Sequence, residues 1–585
     1  MATNRNAYLI WKSLRNFILA SVLTAAAGQL ASTFDAIVLA QFIGEEAVSA
    51  LSLIMPVTTF ISCLGLMLAF GANALAAQAI GHHHLDRASA IFSTAIWSIL
   101  VFGILASLLL WIGIPYIVMA ITDEPVLRTL PAAYLSVYLA GAWLEMLSYA
   151  LCLFVATDGH PRYVTIAVLT GVIVNIVIDV LTVGFLDWGI KGTAWGTLAQ
   201  FTVNIMILSL YFLRPSCSFR LSLPTGRWRL LVKNVKEGAT VTISNILMAV
   251  TVLLVTNIMF DALGERGLFF WSICLQMLLV SAVFINGVME ALFAIGGILL
   301  GEHDLYSLNM LARRCLISIS AQILLLIILM WIPNVVGIMF GVEDVLEMAY
   351  LNAVLRIFSL LLLPFALTLI LVACYQVLER IALSAVIAIT QLSVLIVSVS
   401  LFAYYVPDYV WYAFPLAGFM FLGCQLLYSY KYSRKRDCQV SGLTLIPYSE
   451  GGHSLNLSVR YQLDEVTNAL EQIVAFLEEM GINPHRVFDL QLCCEELMTN
   501  IAQHSKGRVT HHSFDVHVFV MADRVRLTLR DGGRPFDPIR AGKTTDAGQP
   551  DSDIPNLGLL IAANIIPDIS YKYMYGLNIV LIKVN

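Results

Sequence analysis

Four polar residues stand inside long apolar stretches of this chain: Asp35, Asn175, Asp179 and Thr197. An ionisable side chain at the centre of a membrane helix costs at least ~2.5 kcal/mol, so each such residue suggests a function. Asn175 and Asp179 are four residues apart and therefore share one helix face. Two carboxylates, an amide and a hydroxyl form a hard oxygen set that suits Na⁺ or a proton. The alternative is that each side chain forms a hydrogen bond between helices of a bundle.

A second group of chemically capable residues lies near the C-terminus. Glu496 and Asn500 are four apart and share a helix face; a carboxylate can activate a hydroxyl or water, and an amide oxygen can hold Mg²⁺ among phosphates. Asp531, on a glycine loop, can accept a hydrogen bond from an exocyclic amine. Gly558, at a helix start, can present backbone N–H groups to phosphate. Taken singly each signal is weak, because a Glu/Asn helical pair is most often a solvated face.

The composition determines what must position these residues. The 585-residue chain is 59% hydrophobic and 12% charged, with a mean hydropathy of +0.81. The core of a soluble protein does not need so much apolar surface, so most of the chain must face lipid. The net charge of −5 argues against a nucleic-acid partner, which would require a basic patch. The ten cysteines include no Cys-x-x-Cys pair, and we expect Cys493 and Cys494 to be reduced and buried on a helix.

Apolar blocks of about 20 residues, each long enough to span a bilayer, recur along the first three quarters of the chain. We count twelve, centred near residues 28, 65, 104, 143, 174, 202, 250, 284, 326, 360, 391 and 420. The longest and most basic loop follows the sixth block. This loop divides the body into two six-helix halves, 1–216 and 217–432, as an internal repeat would.

The loop charges predict the orientation. Lys and Arg accumulate on cytoplasmic loops, and here they alternate with acidic loops span by span. The basic side carries Arg5, Lys12, Arg15, Arg87, Arg162, the central loop, Arg313, Arg314, Arg380, Lys431, Arg434, Lys435 and Arg436. The sequence therefore predicts a multi-pass protein of the inner membrane with both termini in the cytoplasm.

The chain changes character near residue 433. A charged cluster and a polar stretch form a predicted linker over 433–454, and 455–585 has the charge density of a soluble domain. Its periodicity predicts helices and strands of an α/β sandwich. The helices are predicted over 463–480 and 484–504, and the strands over 514–520, 525–529, 569–574 and 578–583.

The membrane part resembles the multidrug and toxin extrusion (MATE) transporters. The resemblance rests on 35–44, 70–81, 156–162 and the stretch from Asn175 to Gly196, and covers about residues 10–432. It implies two six-helix bundles in a V and antiport of small organic cations by alternating access. It also implies a cation site made by Asp35, Asn175, Asp179 and Thr197. In the second half, Glu290 and Arg356 could pair or line the cleft, with Gln276 and Asn286 as further cleft polar residues.

The C-terminal part resembles the GHKL ATPases. Glu496 to Asn500 with His504 is similar to the N box of that superfamily, 531–538 to the first glycine box, and 556–559 to the second. The ending of 531–538 and the tail around Asn578 are most similar to the anti-sigma-factor serine/threonine kinases. The resemblance implies Glu496 as general base, Asn500 as Mg²⁺ ligand and Asp531 as adenine reader, with Gly533 and Gly558 making room for ATP. Asn556 stands where a glycine is usual. The resemblance therefore implies nucleotide binding more strongly than lid closure and turnover.

These features predict a cation-coupled antiporter, driven by Na⁺ or H⁺, that exports small organic compounds and carries a cytoplasmic ATP-binding domain. That domain would either regulate transport or phosphorylate a partner similar to an anti-sigma-factor antagonist. One alternative is a membrane-bound serine/threonine kinase whose transporter-like body senses a ligand. Another is a lipid-linked saccharide flippase, although a flippase would prefer a more basic cleft. ATP is not expected to power transport directly, because the chain contains no G-x-x-x-x-G-K-[ST] loop.

Overall fold

The structure is a computed structural model of the whole chain, and its description covers the following residues. They are 8–82, 84–121, 128–214, 217–223, 228–340, 342, 344–435, 441, 443–447, 452–504, 513–522, 524–538, 566 and 568–584.

Thirteen α-helices make up the membrane part within the described residues. They are α1 Tyr8–Phe42, α2 Glu45–Gly81, α3 Leu85–Ile112, α4 Ile114–Ile121, α5 Thr129–Thr157, α6 Pro161–Asp179, α7 Ile190–Tyr211, α8 Trp228–Gly301, α9 Leu305–Trp331, α10 Val335–Met339, α11 Val345–Val377, α12 Ile381–Tyr405 and α13 Ala413–Lys435. A π-helical turn, Val180–Phe185, continues α6, and a 3₁₀ turn, Pro407–Tyr412, precedes α13. The left-handed backbone of Gly264 (φ 69°) breaks α8 into two spans.

Twelve segments among the described residues are long and apolar enough to cross a bilayer, and each contains one of the twelve predicted centres. The prediction of twelve spans is therefore confirmed. Their exposed faces carry large apolar side chains, such as Leu109 at 70% and Phe185 at 75% exposure, which a lipid environment would cover. The chain is a multi-pass membrane protein.

Glycines bring α2 and α8 together at one end of the membrane part. A Cβ at Gly81 would collide with the backbone of Ile298 and Gly301, and one at Gly301 would collide with the carbonyl oxygen of Gln78. Small residues let two helix backbones approach this closely. The ends of α2 and α8 are therefore closed against each other on the side that contains the 82–84 and 302–304 loops.

Within its described residues, the C-terminal domain is a five-stranded antiparallel sheet with two helices on one face. The elements are β1 His453–Arg460, α14 Leu463–Glu479, α15 Pro484–His504, β2 Ser513–Met521, β3 Arg524–Asp531, β4 Ile569–Met574 and β5 Leu577–Val584, and the strand order is β1-β2-β3-β5-β4. Alternate strand residues point to opposite faces. One face, with Val516, Leu527 and Val580, packs on α14 and α15 to form the domain's own core.

The two helices and four strands predicted over 463–504, 514–529 and 569–583 are present, with small shifts at their ends, and one strand was missed. The helix predicted to begin at Gly558 lies outside the described residues. Strand β1 lies at 453–460 and pairs along its length with β2; its first two residues fall in the predicted linker. Cys493 and Cys494 are fully buried in α15, and burial raises the pKa of the Cys493 thiol to about 12. A thiol so perturbed is unreactive at neutral pH.

Candidate functional site

The first site lies where α1 meets the end of α6. Asn175 and Asp179 are completely buried, at 0% and 1% exposure, and Asp35 of α1 lies beside both. Asp35 lies in hydrogen-bond reach of both, but among the described residues neither oxygen of Asp179 nor the amide of Asn175 forms a hydrogen bond of regular geometry. Buried polar atoms normally have hydrogen-bond partners, so this cluster of unpaired oxygens is a candidate site for a bound cation or proton. The structure thus brings together three of the four residues named from the sequence.

The neighbouring backbone shapes this site. A Cβ at Gly196 of α7 would collide with Oδ1 of Asp179, so only glycine leaves room for the carboxylate. The fourth predicted residue, Thr197, follows Gly196; its hydroxyl donates to the carbonyl oxygen of Thr193 (3.0 Å) and lies in hydrogen-bond reach of Tyr134. The π-helical turn starts directly after Asp179, and such turns often mark functional positions.

The second half of the membrane part gives a different picture from the sequence. Glu290 of α8 lies in hydrogen-bond reach of Ser21 of α1, whereas Arg356 is exposed, and the structure does not bring the two together. Gln276 and Asn286 are exposed. In the first half, one carboxylate buried inside a span was missed: Glu145 of α5 is 4% exposed. An ionisable residue in the middle of the fourth apolar block was the signal that could have found it.

The second site is a cavity of about 290 Å³ between α15 and the sheet of the C-terminal domain. Asn500, Asp531 and Gly533, all named from the sequence, line it together with Phe536 and Asn578. Glu496 lies one turn before Asn500, is half-buried, and does not line the cavity formed by the described residues. Gly558 and Asn556 lie outside the described residues, and of His504 only the helical backbone is described.

A hydrogen-bond network holds Asp531 at the floor of this cavity. Tyr461 donates to Oδ1 (2.7 Å) and the amide of Asn578 donates to Oδ2 (3.1 Å). Asn578 in turn accepts from the Tyr571 hydroxyl (2.7 Å) and from the backbone N–H of Phe536 (3.1 Å). Burial, followed by the nearby Asp531 carboxylate, raises the pKa of Tyr461, so this hydroxyl remains a donor. The carboxylate is thus held in place at the cavity, and each of its oxygens has more than one lone pair with which it can accept hydrogen bonds.

Two family models match the chain. The MatE model matches residues 20–181, and the model of the histidine kinase-like ATPase domain matches residues 459–583. The chain carries a MatE domain and a histidine kinase-like ATPase domain. Both matches agree with the resemblances drawn from the motifs, and no curated protein matches the chain.

Solved MATE structures share the fold of the membrane part. One is described as the outward-facing conformation of a multidrug resistance MATE family transporter of the MOP superfamily. Another is a MOP superfamily transporter from Pyrococcus furiosus Vc1 (DSM3638), described as having a binding pocket of reverse polarity. Each is 18% identical, covers 72% of this chain and 95% of its own, and superposes with a TM-score of 0.67. A MATE in the bent conformation gives the same identity and TM-score.

The ATPase domain packs its second sheet face on the MatE-type membrane part. Arg530 of β3 donates to Asp304 (2.6 Å) and to Glu302 in the loop between α8 and α9, and all three side chains are at most 5% exposed. Burial by itself would lower the pKa of Arg530, but the two carboxylates raise it, so the guanidinium is fully charged. Phe519 stacks on His303 in the same loop (ring centroids 4.7 Å apart).

The β4–β5 hairpin makes a second set of contacts, with the first half of the membrane part. Lys572 pairs with Asp158 in the loop between α5 and α6, and the Tyr575 hydroxyl donates to the carbonyl oxygen of Thr157 (2.7 Å). Burial would raise the pKa of Asp158, but the Lys572 charge and hydrogen bonds from Ser218 and Tyr211 hold it below its usual range. The same ATPase domain therefore touches both halves of the membrane part.

The first helix reaches the cavity of the C-terminal domain. The ammonium of Lys12 donates to the carbonyl oxygen of Gly532 (2.8 Å), between the cavity-lining residues Asp531 and Gly533. Along β3, Asp531 faces the cavity and its neighbour Arg530 faces the membrane part. Sequence reasoning missed these interface residues. The signal was three acidic residues, Asp158, Glu302 and Asp304, in loops otherwise assigned to the basic side.

Proposed function

We propose that the protein is a cation-coupled exporter of small organic compounds whose transport cycle is regulated by ATP bound to its cytoplasmic domain. The observation that carries the transport part is the group formed by buried Asn175 and Asp179 with half-buried Asp35, whose unpaired oxygens fit a coupling ion. The observation that carries the regulatory part is the docking of the ATPase domain across both halves of the membrane part.

The cation site is compatible with transport because its two carboxylates lie together at one position, between two different helices. Asp179 and Asn175 sit on a single helix and Asp35 comes from another, so a cation that binds between them draws α1 and α6 together. Without the cation, two carboxylates beside each other repel unless one is protonated. Binding and release of the ion can therefore bias two arrangements of the first bundle, which is what antiport requires.

The ATP site is supported by the fixed acceptor at Asp531 and by Asn500 at the same cavity. The amide of Asn500 would hold Mg²⁺ among the phosphates, and Asp531 would read the purine amine. ATP would supply charge and bulk at the cavity; Asp531, Asn578 and Tyr461 remain fixed by their own hydrogen bonds.

Regulation follows from where the domain sits. Inward opening requires the ends of α2 and α8, now joined through Gly81 and Gly301, to move apart. The 157–160 contacts belong to the first half and the 302–304 contacts to the second, so that movement must break one set. A docked domain therefore stabilises the arrangement in which the membrane part is closed on the side that faces the ATPase domain. Nucleotide acts through Arg530, next to Asp531, and through Lys12, bonded to Gly532.

Transport is tested with full-length protein in proteoliposomes, using ethidium as the fluorescent probe and imposed H⁺ or Na⁺ gradients. We expect gradient-driven ethidium movement in the wild type and its loss in Asp35→Asn and Asp179→Asn. Glu495→Gln, an exposed carboxylate, is the matched control and should leave transport unchanged. Equal transport in the wild type and both Asp variants would refute the cation site. Movement of a lipid-linked saccharide instead of ethidium would favour a flippase.

Regulation is tested by titrating the full-length protein with a fluorescent ATP analogue and Mg²⁺. We expect saturable binding that Asp531→Asn or Asn500→Ala weakens by about tenfold or more, since each removes one hydrogen bond or ligand to a charged or buried group. Ethidium transport should then depend on ATP in the wild type and lose that dependence in Asn500→Ala. Absence of binding to the wild type would overturn the regulatory proposal. Mg²⁺-dependent phosphorylation of a partner protein with ATP-independent transport would favour the kinase alternative.

A further inference from the structure

A second buried carboxyl group, separate from the Asp35 site, lies near the middle of α5. Glu145 is twelve residues from the end of α5 at Thr157, or about 18 Å at 1.5 Å per residue. The Ser62 hydroxyl of α2 donates to Oε1 and the Tyr138 hydroxyl donates to Oε2. Tyr149 lies in hydrogen-bond reach from one turn further on. Three hydroxyl groups from two helices thus surround this carboxyl.

Among the residues that the structure describes, no Lys, Arg or His lies close enough to Glu145 to form an ion pair with it. The titratable groups near Glu145 and its tyrosines are Tyr134 and Cys152 of α5. Glu290 of α8 lies in electrostatic reach of Cys152, and none of these groups carries a positive charge. An unpaired carboxylate inside a membrane is expensive, and a proton removes that charge at no steric cost.

Glu145 belongs to a polar stripe on one buried face of α5. Tyr134, Tyr138, Glu145, Tyr149 and Cys152 follow one another at spacings of four, seven, four and three residues, which places them on one face of a helix. Tyr134 and Tyr138 stack (ring centroids 5.7 Å apart), and both are under 5% exposed.

The stripe connects the Asp35 site with Glu145. Tyr134 lies in electrostatic reach of Asp35 and Asp179 on one side and of Glu145 on the other. The rise from Tyr134 to Glu145 is about 16 Å along the helix, so the two carboxyl sites lie at different depths. Beyond Glu145, Cys152 lies in electrostatic reach of Glu290 on α8.

We propose that Glu145 is a second proton-binding site, electrostatically linked to the Asp35–Asp179 pair through Tyr134 and Tyr138. This inference rests on the proposed cation-coupled transport and gives it a chemistry: the coupling ion at this depth is H⁺. In one half of the cycle the carboxylate of Glu145 gains one proton and becomes a neutral carboxyl group. In the other half it releases that proton and is a carboxylate again. A metal ion fits poorly here, because both carboxylate oxygens already accept hydrogen bonds from hydroxyl groups.

The site is tested by infrared difference spectroscopy of the full-length protein in nanodiscs, recorded as a function of pH. A buried protonated carboxyl gives its own C=O stretching band. We expect a titrating band that Glu145→Gln removes and that the exposed-site control Glu495→Gln leaves in place. If Glu145→Gln does not fold, Tyr138→Phe serves instead: it keeps the carboxyl, removes one donor, and should move the band to a different frequency. A spectrum unchanged in both variants would overturn the site.

The link to the first site has its own readout. Asp35→Asn should shift the pH midpoint of the Glu145 band, and replacing Na⁺ by K⁺ should leave that midpoint unchanged. An unshifted midpoint in Asp35→Asn would overturn the link, and a Na⁺-dependent midpoint would overturn the assignment to H⁺. These spectra do not depend on transport. If the wild type shows the band but moves no ethidium under any gradient, only the proposed transport function is refuted. If it transports ethidium without showing the band, only the proton site at Glu145 is refuted.

Discussion

The ion-pair triad at the domain interface allows a quantitative test of docking. Arg530 is 5% exposed, and its partners Glu302 and Asp304 are 2% and 0% exposed. Replacing Arg530 by Met leaves two buried carboxylates without a counter-charge, and breaking a buried ion pair in this way costs about 3–5 kcal/mol. At ~1.4 kcal/mol per factor of ten, the domain should open about a hundredfold to a few thousandfold more often.

Hydrogen exchange measures this opening directly. The amides of loops 157–160 and 301–304 are covered by the docked domain, and their exchange should accelerate in Arg530→Met. The triple variant Arg530→Met, Glu302→Gln, Asp304→Asn removes all three charges and should recover most of the protection, because a neutral triad leaves no charge buried. Asn at 304 can still accept from the N–H of Ser307, so the N-cap of α9 is retained.

The matched control is Arg524→Met, an exposed arginine on the same strand and the same sheet face, which should leave exchange unchanged. Two results would refute the reasoning. One is an exchange rate in Arg530→Met within threefold of the wild type. The other is a triple variant that exchanges as fast as the single one, which would show that uncompensated charge is not the cause.

Two further predictions concern the same interface. Gly159→Ala should undock the hairpin, because Gly159 has φ +94° and a Cβ there would lie 2.8 Å from the Cα of Met574; Gly423→Ala, which meets no atom within 4 Å, is the control, and equal exchange in both variants would contradict this. Acidification should also undock the domain. Burial, with His303 and Arg526 nearby, lowers the pKa of His82 from 6.5 to about 4. Because the pKa of His82 is lowered in the docked state, its neutral imidazole contributes fully to docking above pH 6.5. That contribution is lost as the pH falls toward 4. Exchange measured across this range should rise less in His82→Gln than in the wild type, and parallel curves would show that His82 is not the group responsible.

Much of the architecture could be read from local patterns. Apolar blocks of bilayer length predicted twelve spans, and all twelve are present, since spanning length and hydropathy are local properties. Helical and alternating periodicities likewise located α14, α15, β2, β3, β4 and β5. Strand β1 was missed because its pairing with β2, more than 50 residues away, identifies it better than its own composition does.

The candidate sites show the same difference between what a local pattern predicts and what tertiary packing decides. Asn175 and Asp179 share a helix face through their spacing, and Asn500, Asp531 and Gly533 follow from motif order; the structure places each set together. Glu496 belongs to the same motif but does not line the cavity that the described residues form, since a four-residue spacing fixes a helix face but not the neighbour that the face meets; its role stays a prediction.

The sequence by itself determined the twelve spans, the MatE and ATPase domains in their order, and the polar residues capable of binding an ion or a nucleotide. Only the tertiary structure decided how the two domains meet. Arg530 and Glu302 are 228 positions apart, and Lys572 and Asp158 are 414 apart. No local period connects such residues. A charge in a loop has the same sequence signature whether it faces water or a buried partner, and only packing excludes the water that separates the two cases.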